Sequence, residues 1–160
     1  MVWSRHVGRL VDEERWTRAS SLDARERARG AGVEDGDAHV RRDQIQAIAQ
    51  RALAFRMEVA YTARSEKSEL PYKFFPTPQA LAAESDFLVV ITPGGAGTRK
   101  LIDASVFRAL GPQGSVINVA RGSVIDEVAL FAALSDQTIA GAGLDVFAKE
   151  PHAPDRLTAL

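Results

Sequence analysis

The chain has 160 residues, a formal net charge of -1 and an ordinary charged fraction, which suits one domain with a sizeable core and leaves no basic footprint for nucleic acid or an anionic membrane surface. It contains no cysteine, which excludes disulfides and thiolate metal sites and fits a reducing compartment. No apolar run is long enough to span a bilayer, and Met1 is not followed by a basic segment and a hydrophobic signal core, so the expectation is a cytoplasmic chain with a small-molecule partner, no nucleic acid, no membrane and no metal.

In chain order, RHVGRLVDEERW could make a short amphipathic helix with Val7, Leu10, Val11 and Trp16 on one side. Trp3 and Trp16 then read as packing or interface residues. The stretch RASSLDARERARGAGVEDGDAHVRRDQ is crowded with Arg, Asp, Glu and Gly, and without apolar periodicity it predicts exposed, poorly ordered structure up to residue 43. From Gln44 the text is orderly. Ile45, Ile48, Ala49, Ala52, Leu53 and Phe55 recur at helical spacing, MEVAYT follows as a strand, and YKFF as a short one. TPQALAAE predicts a helix, and DFLVVI a strand whose unbroken apolar run implies cover on both faces. Asp103 to Leu110 reads as a helix, GSVINV as a buried strand, Asp126 to Leu134 as a helix and TIAGAGLDV as the last strand. Strands alternating with helices predict an α/β fold, a parallel sheet with helices on both faces. The domain expectation is 1–43 as a helix plus polar segment and 44–160 as the folded unit.

In such sheets ligands bind outside the carboxyl ends of the strands. TARS after MEVAY, TPGG after FLVVI, NVARG after GSVI and LDVFAKEP after IAGAG all fall at those ends. Any one of them has a plain explanation in loop chemistry; together they point to a ligand-binding edge. Arg121 raises a particular question, since a cation stands where a buried strand emerges. A surface carboxylate or a bound anion could be its partner. At the tip of MEVAYT, sheets that bind NAD usually place Asp or Glu for the ribose hydroxyls, whereas an arginine can take the extra phosphate of NADP. Here Arg64 and Ser65 offer a charge-assisted fork and a hydroxyl with no acid at the tip, which fits a phosphate better than a solvated turn.

From Gln46 to Leu160 the chain resembles the nucleotide-binding domain of the D-isomer-specific 2-hydroxyacid dehydrogenases, particularly the glyoxylate/hydroxypyruvate reductase branch. LVVITPGGAGTRKLID, ALGPQGSVINVARGSVIDEVAL and IAGAGLDVFAKEP carry the resemblance, in the family's order and spacing. It implies a Rossmann-like doubly wound sheet, left incomplete here, and NADP as cofactor with NAD as the alternative. It further implies that Arg121 binds the carboxylate and carbonyl of a 2-oxoacid and that Glu150 holds a catalytic histidine and raises its pKa. Asp145 matches the residue that binds the nicotinamide carboxamide, Thr92, Val119 and Ala120 match cofactor contacts, and Arg64 with Ser65 match the phosphate-binding pair of NADP-preferring members. In the implied mechanism Arg121 orients the substrate, the histidine protonates the developing alkoxide and the cofactor supplies the hydride.

Two departures stand beside these agreements. Family members place a first strand and a G-x-G-x-x-G turn immediately before the helix that here is expected to begin near Gln44, because close backbone approach lets the helix N-terminus hold the pyrophosphate. This chain has HVRRDQIQAIAQ there, with no glycine between Asp37 and Phe55. AGVEDGDAHV is the one upstream candidate for a central strand and is too acidic to be a good one; Arg41 and Arg42 could attract phosphate but cannot copy a glycine turn. The family's catalytic histidine, carried in a Pro-His segment, also has no match; His152 follows Glu150 too closely to face it, and His6 and His39 lie outside the matched part. These departures predict a truncated relative lacking the substrate domain and having little turnover alone. Two other classes stay open: a non-catalytic module that forms a homo-oligomer or docks on an intact relative, and a nucleotide-binding regulator.

Overall fold

The computed structural model describes residues 2–5, 36–149 and 157. Its strands are β1 (Val2–Arg5), β2 (Glu58–Thr62), β3 (Lys73–Phe75), β4 (Phe87–Val90), β5 (Ser115–Asn118) and β6 (Gly141–Leu144). Its helices are α1 (Gly36–Ala54), α2 (Pro78–Ala82), α3 (Ala104–Leu110) and α4 (Glu127–Ser135). The strands form one six-stranded sheet in the order β3-β2-β1-β4-β5-β6.

From β2 onward every expected element is present, and the pairs β2–β3, β4–β5 and β5–β6 are parallel. Local chemistry sets the boundaries. Thr77 caps α2, its hydroxyl accepting from the Ala80 amide at 3.1 Å, and Pro78 sits where its missing N–H costs nothing. Asp103 and Asp126 cap α3 and α4 through carboxylates that accept from the first-turn amides. Gly111, at φ 76, ends α3 in a conformation that side-chain-bearing residues rarely adopt.

The alternation of the strands divides the core. Leu88, Val90 and Val116 face Leu81 of α2, Val106 and Phe107 of α3, and Leu130 of α4 in the main cluster, against which Leu157 also packs. On the opposite face Val59 and Ile91 join Ala49 of α1, with Ile45, Ile48, Ala52, Val89 and Val119 packed around them. Helices therefore cover both faces, as a doubly wound sheet requires.

The centre of the sheet differs from expectation. Residues 36–40 of the candidate AGVEDGDAHV do not complete it. Val2–Arg5 does, lying antiparallel to both neighbours, with Trp3 opposite Ala60 and Leu88. The physical reason is that main-chain N–H and C=O groups of buried strands need partners whatever the side chains are, so a four-residue segment without apolar alternation can fill the slot. Strand β1 also takes Arg5 out of the expected N-terminal helix; the rest of that helix, including Val7, Leu10, Val11 and Trp16, lies outside the described residues.

Helix α1 is the second correction. It begins at Gly36, so GDAHV, read as the candidate central strand, is its first turn and more. Alanine and arginine are good helix formers, so this composition does not oppose a helix. With 19 residues α1 is about 28 Å long, against about 17 Å for the five-residue β2 it packs along.

Candidate functional site

The carboxyl ends of β2, β4 and β5 share one edge of the sheet, and three of the loops there are tied to one another. Buried Asn118 organises the turn after β5. Its side-chain oxygen accepts from the Ala120 amide at 3.0 Å, its amide nitrogen donates to the Arg121 carbonyl at 3.2 Å, and its backbone carbonyl accepts from the Asp145 amide at 3.0 Å. One side chain thus shapes the NVARG turn while its backbone fixes the exit of β6. The Val119 amide donates to the Val90 carbonyl, bringing β4 into the same corner.

Arg121 is exposed, extended (φ -145, ψ 143), and leads into a single 3-10 turn, Gly122–Val124. One guanidinium nitrogen donates to the Ala120 carbonyl at 2.8 Å, which folds the side chain over its own turn and holds the head at the sheet edge. The stem of Arg121 lies against the TPGG loop: a Cβ placed on Gly94 would stand 3.0 Å from Arg121 Cγ. That loop is closed by Thr98, whose hydroxyl donates to the Pro93 carbonyl at 2.6 Å. Further along, the Lys100 amide donates to the Ser123 carbonyl and the Ile102 amide to the Val124 carbonyl, so the loops after β4 and β5 run side by side. Lys100 and Asp126 pair at 3.2 Å on the same seam. Burial alone would push the Asp126 carboxyl up, but the Lys100 contact and the α4 amides outweigh it and hold the pKa below its ordinary value.

The loop leaving β6 is fastened at two points. Glu127 Oε1 accepts from the Ala148 amide at 2.7 Å. The backbone of Phe147 and Ala148 crosses so close over Gly122 that any Cβ there would collide with it. Asp145 is exposed, Thr92 half-buried, Val119 half-buried and Ala120 buried, all within this corner.

Arg64 and Ser65 stand apart. They follow β2, on the far side of β1 from the corner just described, and both are exposed. Their loop is tied down by buried Tyr61, whose hydroxyl accepts from the Lys67 amide at 2.6 Å and donates to the Lys67 carbonyl at 3.2 Å. The structure therefore brings together Thr92, Val119, Ala120, Arg121 and Asp145, places Arg64 and Ser65 two strand spacings away, and leaves Glu150 and His152 outside the described residues. Sequence reasoning missed Asn118, Gly122, Glu127 and Tyr61, the residues that hold this arrangement. A polar residue ending a buried strand was the available signal for Asn118; the partners of the other three are too distant in sequence, or too dependent on backbone approach, to be read from it.

The model of the D-isomer specific 2-hydroxyacid dehydrogenase NAD-binding domain matches residues 45–160. The chain belongs to that family. Among the dehydrogenases it resembles, glyoxylate/hydroxypyruvate reductase A of Arabidopsis thaliana is 45% identical over 114 residues, which is 71% of this chain and 36% of that protein. The 2-ketogluconate reductase of Gluconobacter oxydans is 47% identical over 107 residues, 67% of this chain and 34% of that one. A crystal structure of an NADPH-dependent glyoxylate/hydroxypyruvate reductase from Sinorhizobium meliloti, in complex with NADP and malonate, superposes with a TM-score of 0.71 at 47% identity, covering 72% of this chain and 36% of that one. The chain thus spans about a third of the length of these dehydrogenases. It is part of the family's NAD-binding domain.

Whether these residues suit a whole dinucleotide depends on three contacts: the adenosine end, the pyrophosphate and the nicotinamide end. Polar groups stand at two places on the carboxyl edge, the Arg64–Ser65 loop and the corner with Thr92 and Asp145. Between them, α1 offers no free main-chain donor at residues 43–45. The main-chain N–H groups of residues 43–45, which a glycine turn would leave free, lie inside α1 and donate to carbonyls one turn back. Among the described residues, no helix on α1's face of the sheet opens at that position.

No described helix is long and apolar enough to cross a membrane, and no cluster of metal-ligating side chains occurs among the described residues.

Proposed function

We propose that this chain is the NADP-type cofactor portion of a 2-oxoacid reductase acting on glyoxylate, hydroxypyruvate or a similar small oxoacid. The observation that carries the reading is the corner where Arg121, packed on Gly94, meets the exits of β4, β5 and β6. There Arg121 receives the oxoacid's carboxylate and carbonyl, since a guanidinium stays charged and presents parallel donors to a planar anion. Asp145 serves the nicotinamide carboxamide, Thr92, Val119 and Ala120 line the cofactor, and Glu150 is the partner of a proton-donating histidine. Arg64 and Ser65 grip the 2′-phosphate on a loop anchored by Tyr61. The Sinorhizobium relative, crystallised with NADP and the dicarboxylate malonate, supports both ligand classes. Alone, the 160-residue chain turns over little, because the main-chain N–H groups of residues 43–45 that would hold the middle of the dinucleotide are used inside α1.

The test is a fluorescence titration with NADPH and NADH. One charge-assisted hydrogen bond at an exposed site contributes about 1.5 kcal/mol, so NADPH should bind about tenfold more tightly. Arg64→Ala should erase that difference and leave NADH binding unchanged. Coincident curves for the two cofactors with the unmodified protein would remove the phosphate assignment.

A second reading, self-association, is favoured by the exposed side chains of Leu53, Phe55 and Phe87, of which Phe55 is 74% accessible. Sedimentation velocity across a hundredfold concentration range should show mass-action dimerisation, weakened by Phe55→Ser; a constant monomer excludes it.

A further inference from the structure

We propose that this chain selects 2′-phosphorylated adenosine nucleotides by the phosphoadenosine end, with no contribution from a pyrophosphate, so that its ligand class includes nucleotides too small to be nicotinamide dinucleotides. The inference rests on the 2′-phosphate reading of Arg64 and Ser65 and deepens it.

Two backbone features carry it. In a doubly wound sheet the central first strand runs parallel to its neighbours and its carboxyl end delivers the chain directly to the ligand edge, where the turn and the following helix N-terminus meet the pyrophosphate. Here Val2 of β1 lies opposite Tyr61 and Val89, and Arg5 lies opposite Glu58, the first residue of β2. The chain therefore leaves β1 at the opposite edge of the sheet. Helix α1 supplies the second feature. Its ordered contacts with the sheet, through Ile45, Ile48, Ala49 and Ala52, place it as the helix that should open beside the pyrophosphate. It continues instead from residue 44 back to Gly36, about 12 Å further along its axis, so the free N–H groups and the positive end of its dipole are carried away from the edge.

The Arg64–Ser65 loop depends on neither feature. It is fixed by β2 and by the two hydrogen bonds between Tyr61 and Lys67. Tyr61 in turn packs on Phe74 of β3, with ring centroids 5.4 Å apart. The adenosine end can thus keep its contacts while the phosphate bridge has lost its own.

Calorimetric titration of the full chain at fixed ionic strength separates the possibilities, using adenosine 2′-phosphate, 2′-phospho-ADP-ribose and adenosine 5′-phosphate. Adenosine 2′-phosphate and 2′-phospho-ADP-ribose, which differ by the pyrophosphate and its second ribose, should bind within about threefold of each other. Adenosine 5′-phosphate should be about tenfold weaker, and Arg64→Ala should bring adenosine 2′-phosphate down to the same level. If 2′-phospho-ADP-ribose binds tenfold or more tightly than adenosine 2′-phosphate, the pyrophosphate is held and the inference fails while the 2′-phosphate reading survives. If the 2′- and 5′-phosphates bind equally, or none of the three binds, the reading beneath the inference fails as well.

Discussion

Gly122→Ala perturbs the point where the turn that carries Arg121 and the loop after β6 are pressed together. A Cβ at this position would fall on the Phe147 carbonyl and the Ala148 amide, far inside the 3.0 Å that Cβ contacts essentially never cross, and the obstacle is backbone, which cannot swing aside as a side-chain tip can. Overpacking of this kind costs about 1–3 kcal/mol. Moving the 147–148 segment also breaks the bond from the Ala148 amide to Glu127 Oε1, now 2.7 Å; a hydrogen bond to a charged group contributes about 1.5–3 kcal/mol, and partial solvent exposure places this one at the low end. The sum is about 2.5–4.5 kcal/mol, which at a mid-range urea m-value of about 2 kcal/mol/M lowers the unfolding midpoint by about 1–2 M. Gly97→Ala is the control, because nothing lies within 4 Å of a Cβ built there. It should fall within about 0.5 kcal/mol of the parent. Amide exchange at Ala148 gives the local readout: it should accelerate in Gly122→Ala and in Glu127→Ala, and remain near the parent rate in Glu127→Gln, which keeps an acceptor. If Gly122→Ala unfolds at the same urea concentration as Gly97→Ala, with Ala148 exchange unchanged, the close crossing of these two segments is wrong.

Asp103 accepts from the Ser105 hydroxyl at 2.6 Å and the Ser105 and Val106 amides at 2.8 and 3.2 Å, and these bonds, the Ser105 hydroxyl foremost, hold its carboxyl below the ordinary 3.8. A depressed folded pKa means stability present above the unfolded value and lost as the pH falls through the folded one, so Asp103→Asn should flatten the urea-midpoint profile below about pH 4 relative to the parent; an unchanged acid limb would contradict the cap. Removal of residues 1–5 should unpair the facing edges of β2 and β4 and produce concentration-dependent association in sedimentation velocity, whereas a monodisperse monomer with undiminished exchange protection in both strands would show that β1 does not occupy the centre.

The elements from β2 to β6 were legible because each has a signal that local physics enforces: buried β-branched runs for β4 and β5, and Thr77, Asp103 and Asp126 at helix starts. The corner of the site was legible as well, since polar and glycine-rich stretches follow directly on those strands. What could not be read was anything decided by pairing at a distance. The VWSR segment carries no alternation, so nothing in it announces a central strand or its antiparallel direction. The extension of α1 to Gly36 was hidden by a composition that serves an exposed helix as well as a loop. Glu127 and Tyr61 looked like a surface acid and a strand aromatic, because the amides they hold, Ala148 and Lys67, lie 21 and 6 residues away.

Backbone amide shift mapping with NADP tests the central claim most directly, that this family domain receives its cofactor at the two ends of the carboxyl edge and not at the start of its first helix. On titration, the amides of Arg64 and Ser65, of Thr92 and Gly94, and of Val119, Ala120, Arg121 and Asp145 should move together with one dissociation constant, while those of Asp43, Gln44 and Ile45 stay within the scatter of remote residues. Large shifts at residues 43–45 with Arg64 and Ser65 unmoved would contradict it, because the pyrophosphate would then be bound where α1 leaves no free donors.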